Sequence, residues 1–313
     1  LRQRAPRIAL LGEAGIELPA LINALAGRTV LHAPLLRGPW TAVRGAGTVE
    51  LADLRESGSS PPEPADLYLF VGSAHAGLGP DARRAAEVLA SAASREGGSP
   101  AGLAVMVFGD RAETSAVLSA LADAGASASV VFSTHLARRG IEAGFPAEER
   151  SALGDRLCDY LPEDAQLELA RFLAARGAQA RLAGTVLKSF GAVAGVIGMQ
   201  PLPLADFPVL LSLQMFMVSL IVYVSGRDFS PRLAGEFAAS LGIGFSAGIV
   251  FREAARAAVK ILPVWGHMIS GGVAGAGTYA LGRAAIAYFI DGHTASSLRL
   301  PWRRDRSLPP PER

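Results

Sequence analysis

The chain has 313 residues, of which 50% are hydrophobic and 19% charged, a balance that excludes a disordered polypeptide and a length that allows two domains. Its 35 glycines and 20 prolines follow no repeating period, which excludes collagen-like and solenoid architectures. Cys158 is the only cysteine, no Cys/His set has zinc spacing, and the formal net charge is +2. Internal disulfides and a structural zinc are therefore excluded, no metal site is expected, and no nucleic-acid partner is expected.

The first element is Arg7–Gly12, a short apolar run ended by glycine, which predicts a buried strand. No Lys/Arg-led apolar run with a small-residue cleavage site precedes it, and the missing initial Met fits a truncated start. Leu18 to Gly27 predicts a helix, with Pro19 in the first turn, Leu21, Ile22 and Leu25 at helical spacing, and Gly27 as the stop. Further strands are predicted at Thr48–Leu54, Asp66–Val71, Leu103–Phe108 and Ser127–Ser133, with helices at Asp81–Ser94 and Glu113–Ala124. Residues Ser57 to Pro62 read as a loop. Strands alternating with helices imply an α/β domain, a mostly parallel sheet with helices on both faces.

From about residue 183 the chain becomes far more apolar. Phe207–Gly226 has no Asp, Glu, Lys or Arg and spans ~30 Å as a helix, the thickness of a bilayer core. Ile261–Gly282 is also free of formal charge but rich in glycine, and Gly271 and Gly275 have the small-xxx-small spacing of close-packed helices. Ser189–Ala205, broken by Pro201 and Pro203, and Phe237–Phe251 are shorter; the latter fits a buried or re-entrant helix. Bases lie on both sides of these runs, so the positive-inside rule gives no orientation. Asp206, at the mouth of the longest run, reads as a helix cap. Residues 293–313 read as a polar, disordered tail.

Two resemblances follow from these residues. Ile8-Ala9-Leu10-Leu11-Gly12 with Leu21-Ile22-Asn23-Ala24-Leu25-Ala26-Gly27 resembles the first strand and helix of Era-like bacterial GTPases. Asp66–Gly72 and Val130–Ser133 resemble later strands of that family, and Leu161-Pro162-Glu163-Asp164 the start of its closing helix. The resemblance implies a P-loop-GTPase-like domain over 1–162, then a connecting helix over 163–183. It also implies nucleotide-contacting positions at Gly12, Thr41 (a switch threonine in a loop), Asp53 and Ser133. The phosphate-loop glycine, lysine and hydroxyl are displaced, because Glu17, Leu18 and Pro19 stand in their places. Gly109-Asp110-Arg111-Ala112 stands where guanine would be read.

The second resemblance covers 184–292. Ile197-Gly198-Met199-Gln200-Pro201-Leu202-Pro203-Leu204-Ala205-Asp206-Phe207-Pro208, then Gln214 and Met217, resembles the opening of the YcjF-type bacterial domain of unknown function. Pro263, Trp265, Gly266, Thr278 and Gly282 resemble its closing signature. That family implies a helical, membrane-associated domain following a GTPase-like one.

The resulting expectation is a pseudo-GTPase at the bacterial inner membrane, its G-like domain facing the cytoplasm, acting as a regulatory or scaffolding module. Its expected partners are membrane lipid and proteins or further copies of itself, without a cofactor and without a catalytic residue. One alternative is a working GTPase with a divergent phosphate loop, using GTP and Mg²⁺. Another is a small transporter or channel subunit.

Overall fold

The computed structural model describes residues 3–33, 40–55, 65–73, 78–96, 102–126, 130–134, 144–199, 206–241 and 266–293. Side chains are described there except at 94–96, 130, 132–134, 206–207 and 266–271. The chain forms two compact units, Leu1–Leu182 and Ala183–Arg313.

The first unit is built on six strands: β1 (Arg7–Gly12), β2 (Thr41–Arg44), β3 (Thr48–Asp53), β4 (Leu67–Gly72), β5 (Gly102–Phe108) and β6 (Val130–Thr134). They lie in the order β2-β3-β1-β4-β5-β6. Only the β2/β3 pair is antiparallel. Period-2 alternation sends Ile8 and Leu10 to one face and Ala9 and Leu11 to the other. The first face is covered by α1 (Leu18–Ala26), α4 (Ala147–Cys158) and α5 (Glu163–Phe172), through Leu21, Leu25, Leu153, Leu157, Leu169 and Phe172. The second is covered by α2 (Leu78–Glu96) and α3 (Arg111–Asp123), through Leu78, Ala82, Ala85, Val117 and Leu121. Because both faces are covered, β4 is buried at every residue.

Local chemistry sets the element ends. Gly27 closes α1 in the left-handed conformation at φ 68°. Asp110 and Glu113 form a capping box at the start of α3, the Asp110 carboxylate accepting from the Ala112 and Glu113 amides. The β2–β3 turn is tied to α5, since the Thr48 amide donates to Glu168 Oε2 at 2.7 Å. A side chain at Gly47 would strike the Glu168 carbonyl.

Several expectations change here. Thr41 is not in a loop: it opens β2 and pairs with Leu51. The connecting helix placed at 163–183 is two elements, because α5 packs into the core and α6 (Arg176–Gly198) starts beyond Leu173–Ala175. The segment Ser57 to Pro62 lies outside the described residues, as does the tail beyond His293.

The second unit is helical. It holds most of α6, then α7 (Asp206–Val224), α8 (Pro231–Ser240) and α9 (Gly266–Phe289). Ser230 caps α8, its hydroxyl accepting from the Leu233 amide at 3.2 Å, with Pro231 in the first turn. Among the described residues one helix, α6, is long and apolar enough to cross a membrane, and little of that stretch is buried. Of the expected first span, Phe207–Val224 lies in α7, and Ser225 and Gly226 fall past the end of that helix. Ile261–Gly282 begins outside the described residues, and its helix runs on to Phe289. Of Phe237–Phe251, the part to Ser240 belongs to α8 and residues 242–251 lie outside the described residues.

Candidate functional site

The parallel strands, taken in chain order as β1, β3, β4, β5 and β6, lie in the sheet as β3-β1-β4-β5-β6. The order therefore reverses between β1 and β4, and in open α/β sheets ligands bind outside the carboxyl ends of the strands at such a point. Those ends are Gly12-Glu13 and Gly72-Ser73. The two strands approach closely: Gly12 has φ 105°, and a Cβ there would lie 2.2 Å from the Val71 carbonyl oxygen. The Glu13 amide donates to that same oxygen at 2.9 Å. The Ser73 hydroxyl donates to Glu13 Oε2 at 3.1 Å.

The centre of the site is occupied by Arg55, which is only 6% exposed. Its Nε and Nη2 donate to the two Asp53 carboxylate oxygens at 2.8 and 2.9 Å, a bidentate pair. Its Nη1 donates to the carbonyls of Glu13 at 3.1 Å and Ile16 at 2.7 Å. Four of the roughly five guanidinium N–H groups are thus consumed inside the protein. The loop between β1 and α1 turns its carbonyl oxygens toward a cation. A phosphate-binding loop does the reverse, turning N–H groups toward an anion. Arg84 donates in turn to the Arg55 carbonyl, fixing α2 to the end of β3.

The three displaced positions reinforce that polarity. Glu17 stands at the N-cap of α1 with no side-chain cap bond. Leu18 is 3% exposed and belongs to the core. Pro19 has no N–H to offer at the first turn. Among the described residues, the β1–α1 loop thus presents carbonyl oxygens to Arg55 where a phosphate-binding loop presents N–H groups to an anion. Comparison with protein-family models, curated proteins and solved structures finds no match.

Of the sequence-predicted nucleotide positions, the fold brings Gly12 and Asp53 near one another, with Arg55 joining Asp53 to the Glu13 carbonyl next to Gly12. Thr41 is elsewhere: it is level with Leu51, which pairs with Ile8 near the start of β1. Ser133, on β6, pairs with Val107 of β5, and β6 lies three strand spacings or about 14 Å from β1 across the sheet; the Ser133 side chain lies outside the described residues. Asp66 is at the opposite end of β4. There it accepts from both Arg4 Nη atoms at 2.6 and 2.7 Å and holds the N-terminal segment. Arg55, Glu13 and Ser73 were not singled out by sequence. The available signal was an Asp-x-Arg at a strand end.

Cys158 is fully buried, and burial, then Asp155, pushes its thiol up to about 12. It stays protonated and packs in the core. Among the described residues no group of three His, Cys, Asp or Glu is placed to hold a metal ion.

In the helical unit, Asp206 opens α7, Gly266 opens α9 and Gly198 ends α6. Pro201, Pro203 and Pro263 lie outside the described residues. Pro208 is in the first turn of α7, its carbonyl accepting from Ser212 Oγ at 2.8 Å. Gln214 and Thr278 meet: Gln214 Nε2 donates to Thr278 Oγ1 at 3.0 Å, and Thr278 is fully buried. Gly282 faces Leu187 and Met217, where a Cβ would lie 2.3 Å from Leu187 Cδ1. Gly275 sits against α6, its nearest atoms being the Gly191 carbonyl oxygen and Gly195. The close approach thus pairs Gly275 with Gly191 and Gly195, themselves at small-xxx-small spacing.

Proposed function

We propose that the chain is a membrane-associated protein of GTPase-like fold that has lost its nucleotide-binding groups and acts as a regulatory or scaffolding module. The observation that carries this reading is Arg55, buried at the strand-order reversal and bonded to Asp53 and to the carbonyls of Glu13 and Ile16. A ligand entering there would have to displace a bidentate ion pair and two carbonyl bonds. The Era-like resemblance supplies the ancestry, and a mostly parallel sheet with the loop of interest between β1 and α1 is consistent with it.

Membrane association is supported by the composition of α6 and by exposed apolar side chains on three helices. These include Val193 and Val196 on α6, Val209 and Phe216 on α7, and Val273 on α9. The YcjF-type resemblance adds to this. The bacterial inner membrane and protein or self partners remain part of the same proposal.

Calorimetric titration of the full chain with Mg²⁺-GTP tests the first half. No saturable heat is expected; micromolar saturable binding would overturn the reading in favour of a working GTPase. Carbonate washing of membranes tests the second half: the chain is expected to stay in the pellet, and its release would sink the integral reading.

A further inference from the structure

A second feature of the α/β unit lies at the C-terminal end of α1, away from the strand-order reversal. Gly27 closes that helix in the left-handed conformation, and the Arg150 guanidinium rests on it. A Cβ at Gly27 would lie 2.1 Å from Nη1 and 2.6 Å from Cζ of Arg150. Arg28 follows directly in the chain and is exposed. From the other side comes Arg176, exposed at the start of α6, whose amide donates at 2.9 Å to the hydroxyl of Ser151, the neighbour of Arg150. Three arginines therefore converge.

Their lack of counter-charge is the informative part. Among the described residues no carboxylate forms an ion pair with Arg28, Arg150 or Arg176. The Nε of Arg150 is buried and has no hydrogen-bond partner. Burial, then Arg176 and Arg28, pushes the Arg150 guanidinium below the ordinary arginine range. Asp155 turns both carboxylate oxygens to the Gly177 and Ala178 amides, at 3.2 and 2.7 Å, and makes no ion pair with any of the three. The end of the α1 dipole contributes roughly half a negative charge, too little for three cations, and among the described residues no carbonyl accepts from the Arg150 guanidinium. A half-buried guanidinium with an unpaired N–H and two like neighbours is destabilising on its own. An anion with several acceptor oxygens, held by the exposed arginines, removes the like-charge repulsion.

We propose that Arg28, Arg150 and Arg176 form a binding site for a phosphate group carrying two negative charges, with Arg150 as its fixed floor and the two exposed arginines closing on it. Guanidinium forks suit phosphate oxygens. The same chemistry is offered by a free phosphate or diphosphate compound and by a phosphatidate-type headgroup. The site rests neither on the loss of nucleotide binding nor on the membrane reading.

The test uses the full chain, its melting temperature followed against inorganic phosphate and pyrophosphate at constant ionic strength. Flotation with phosphatidate-containing and pure phosphatidylcholine vesicles runs in parallel. The expected result is a saturable rise in melting temperature, with apparent affinity at least tenfold weaker in Arg150→Gln and unchanged in Arg111→Gln, a control on the exposed start of α3. Without anion, Arg28→Gln/Arg176→Gln is expected to melt no lower than wild type, because repulsion is relieved. That pair also replaces Arg150→Gln as the binding variant if the latter fails to fold. Phosphatidate flotation lost in the arginine variants identifies the headgroup as the source. A saturable shift with unchanged flotation identifies a free phosphate compound. No saturable shift and variant-independent flotation, or a shift equal in wild type and the arginine variants, overturns the proposal.

Discussion

The two units differ in how they dispose of their surfaces. Among the described residues, the α/β unit exposes one large hydrophobic side chain, Tyr160, whereas eleven are exposed in the helical unit, from Val193 to Tyr288. The α/β unit closes its polar groups on one another, as in the Asp53–Arg55–Glu13 chain. The helical unit packs its interior on glycine contacts, on aromatic pairs such as Phe237–Phe289 and on an inter-helix side-chain bond between Gln214 and Thr278. The difference teaches where each unit is vulnerable: the first to loss of a charge partner, the second to gain of volume.

The largest expected effect follows from removing Arg55. Arg55→Ala strands the Asp53 carboxylate and the carbonyls of Glu13 and Ile16, and is expected to cost about 2–4 kcal/mol. Arg55→Lys keeps the charge but not the fork, and is expected to lose about half as much. Denaturant unfolding followed by Trp40 fluorescence, with Trp265 and Trp302 replaced by Phe, reads the α/β unit alone. A loss below 1 kcal/mol in Arg55→Ala would mean that the arginine is not the strut of the β1–α1 loop.

The sharper contrast comes from volume. Gly282→Val places two methyls where even a Cβ would crowd Leu187 and Met217, and overpacking of that kind costs about 1–3 kcal/mol. Hydrogen exchange across α7 and α9 should rise while that of the β strands stays unchanged. Equal rises in both units would remove the distinction between them.

How much of this was legible in the sequence depends on the range of the interaction that fixes each element. Strands β1, β4 and β5 announce themselves because each is an apolar run buried on both faces, and β3 by alternation, with Val49 and Leu51 buried between the half-buried Thr48, Glu50 and Asp53. β2 does not. It is a four-residue edge strand with only Val43 buried, and Thr-Ala-Val-Arg carries no run to detect. The start of α8 at Ser230-Pro231 carried a local signal, a cap followed by a proline, which the apolar run from Phe237 overshadowed. Arg55 is the harder case. An arginine two residues past a strand end is ordinarily solvated, and its burial is decided by carbonyls about forty positions earlier in the chain. The arginines at 28, 150 and 176 are likewise unremarkable until α1, α4 and α6 bring them together. Gln214 and Thr278 were picked out as members of one signature, but that they bond to each other is a tertiary fact.

That bond gives the smallest effect and tests the helical unit from within. Thr278 is fully buried on α9, and Gln214 on α7 is half-buried, so removing one partner leaves a polar group facing apolar neighbours. Thr278→Val is expected to cost about 1 kcal/mol. The double variant Gln214→Leu/Thr278→Val should recover part of that, because both polar groups are then gone. The coupling energy from the full cycle is expected at about 0.6 kcal/mol, the size found between helices that pack in lipid. Measured in detergent and again in lipid bilayers, it should remain small in both. A coupling several times larger would show a dry, rigid contact unlike a membrane bundle, and would draw the helical unit back toward the behaviour of the α/β unit.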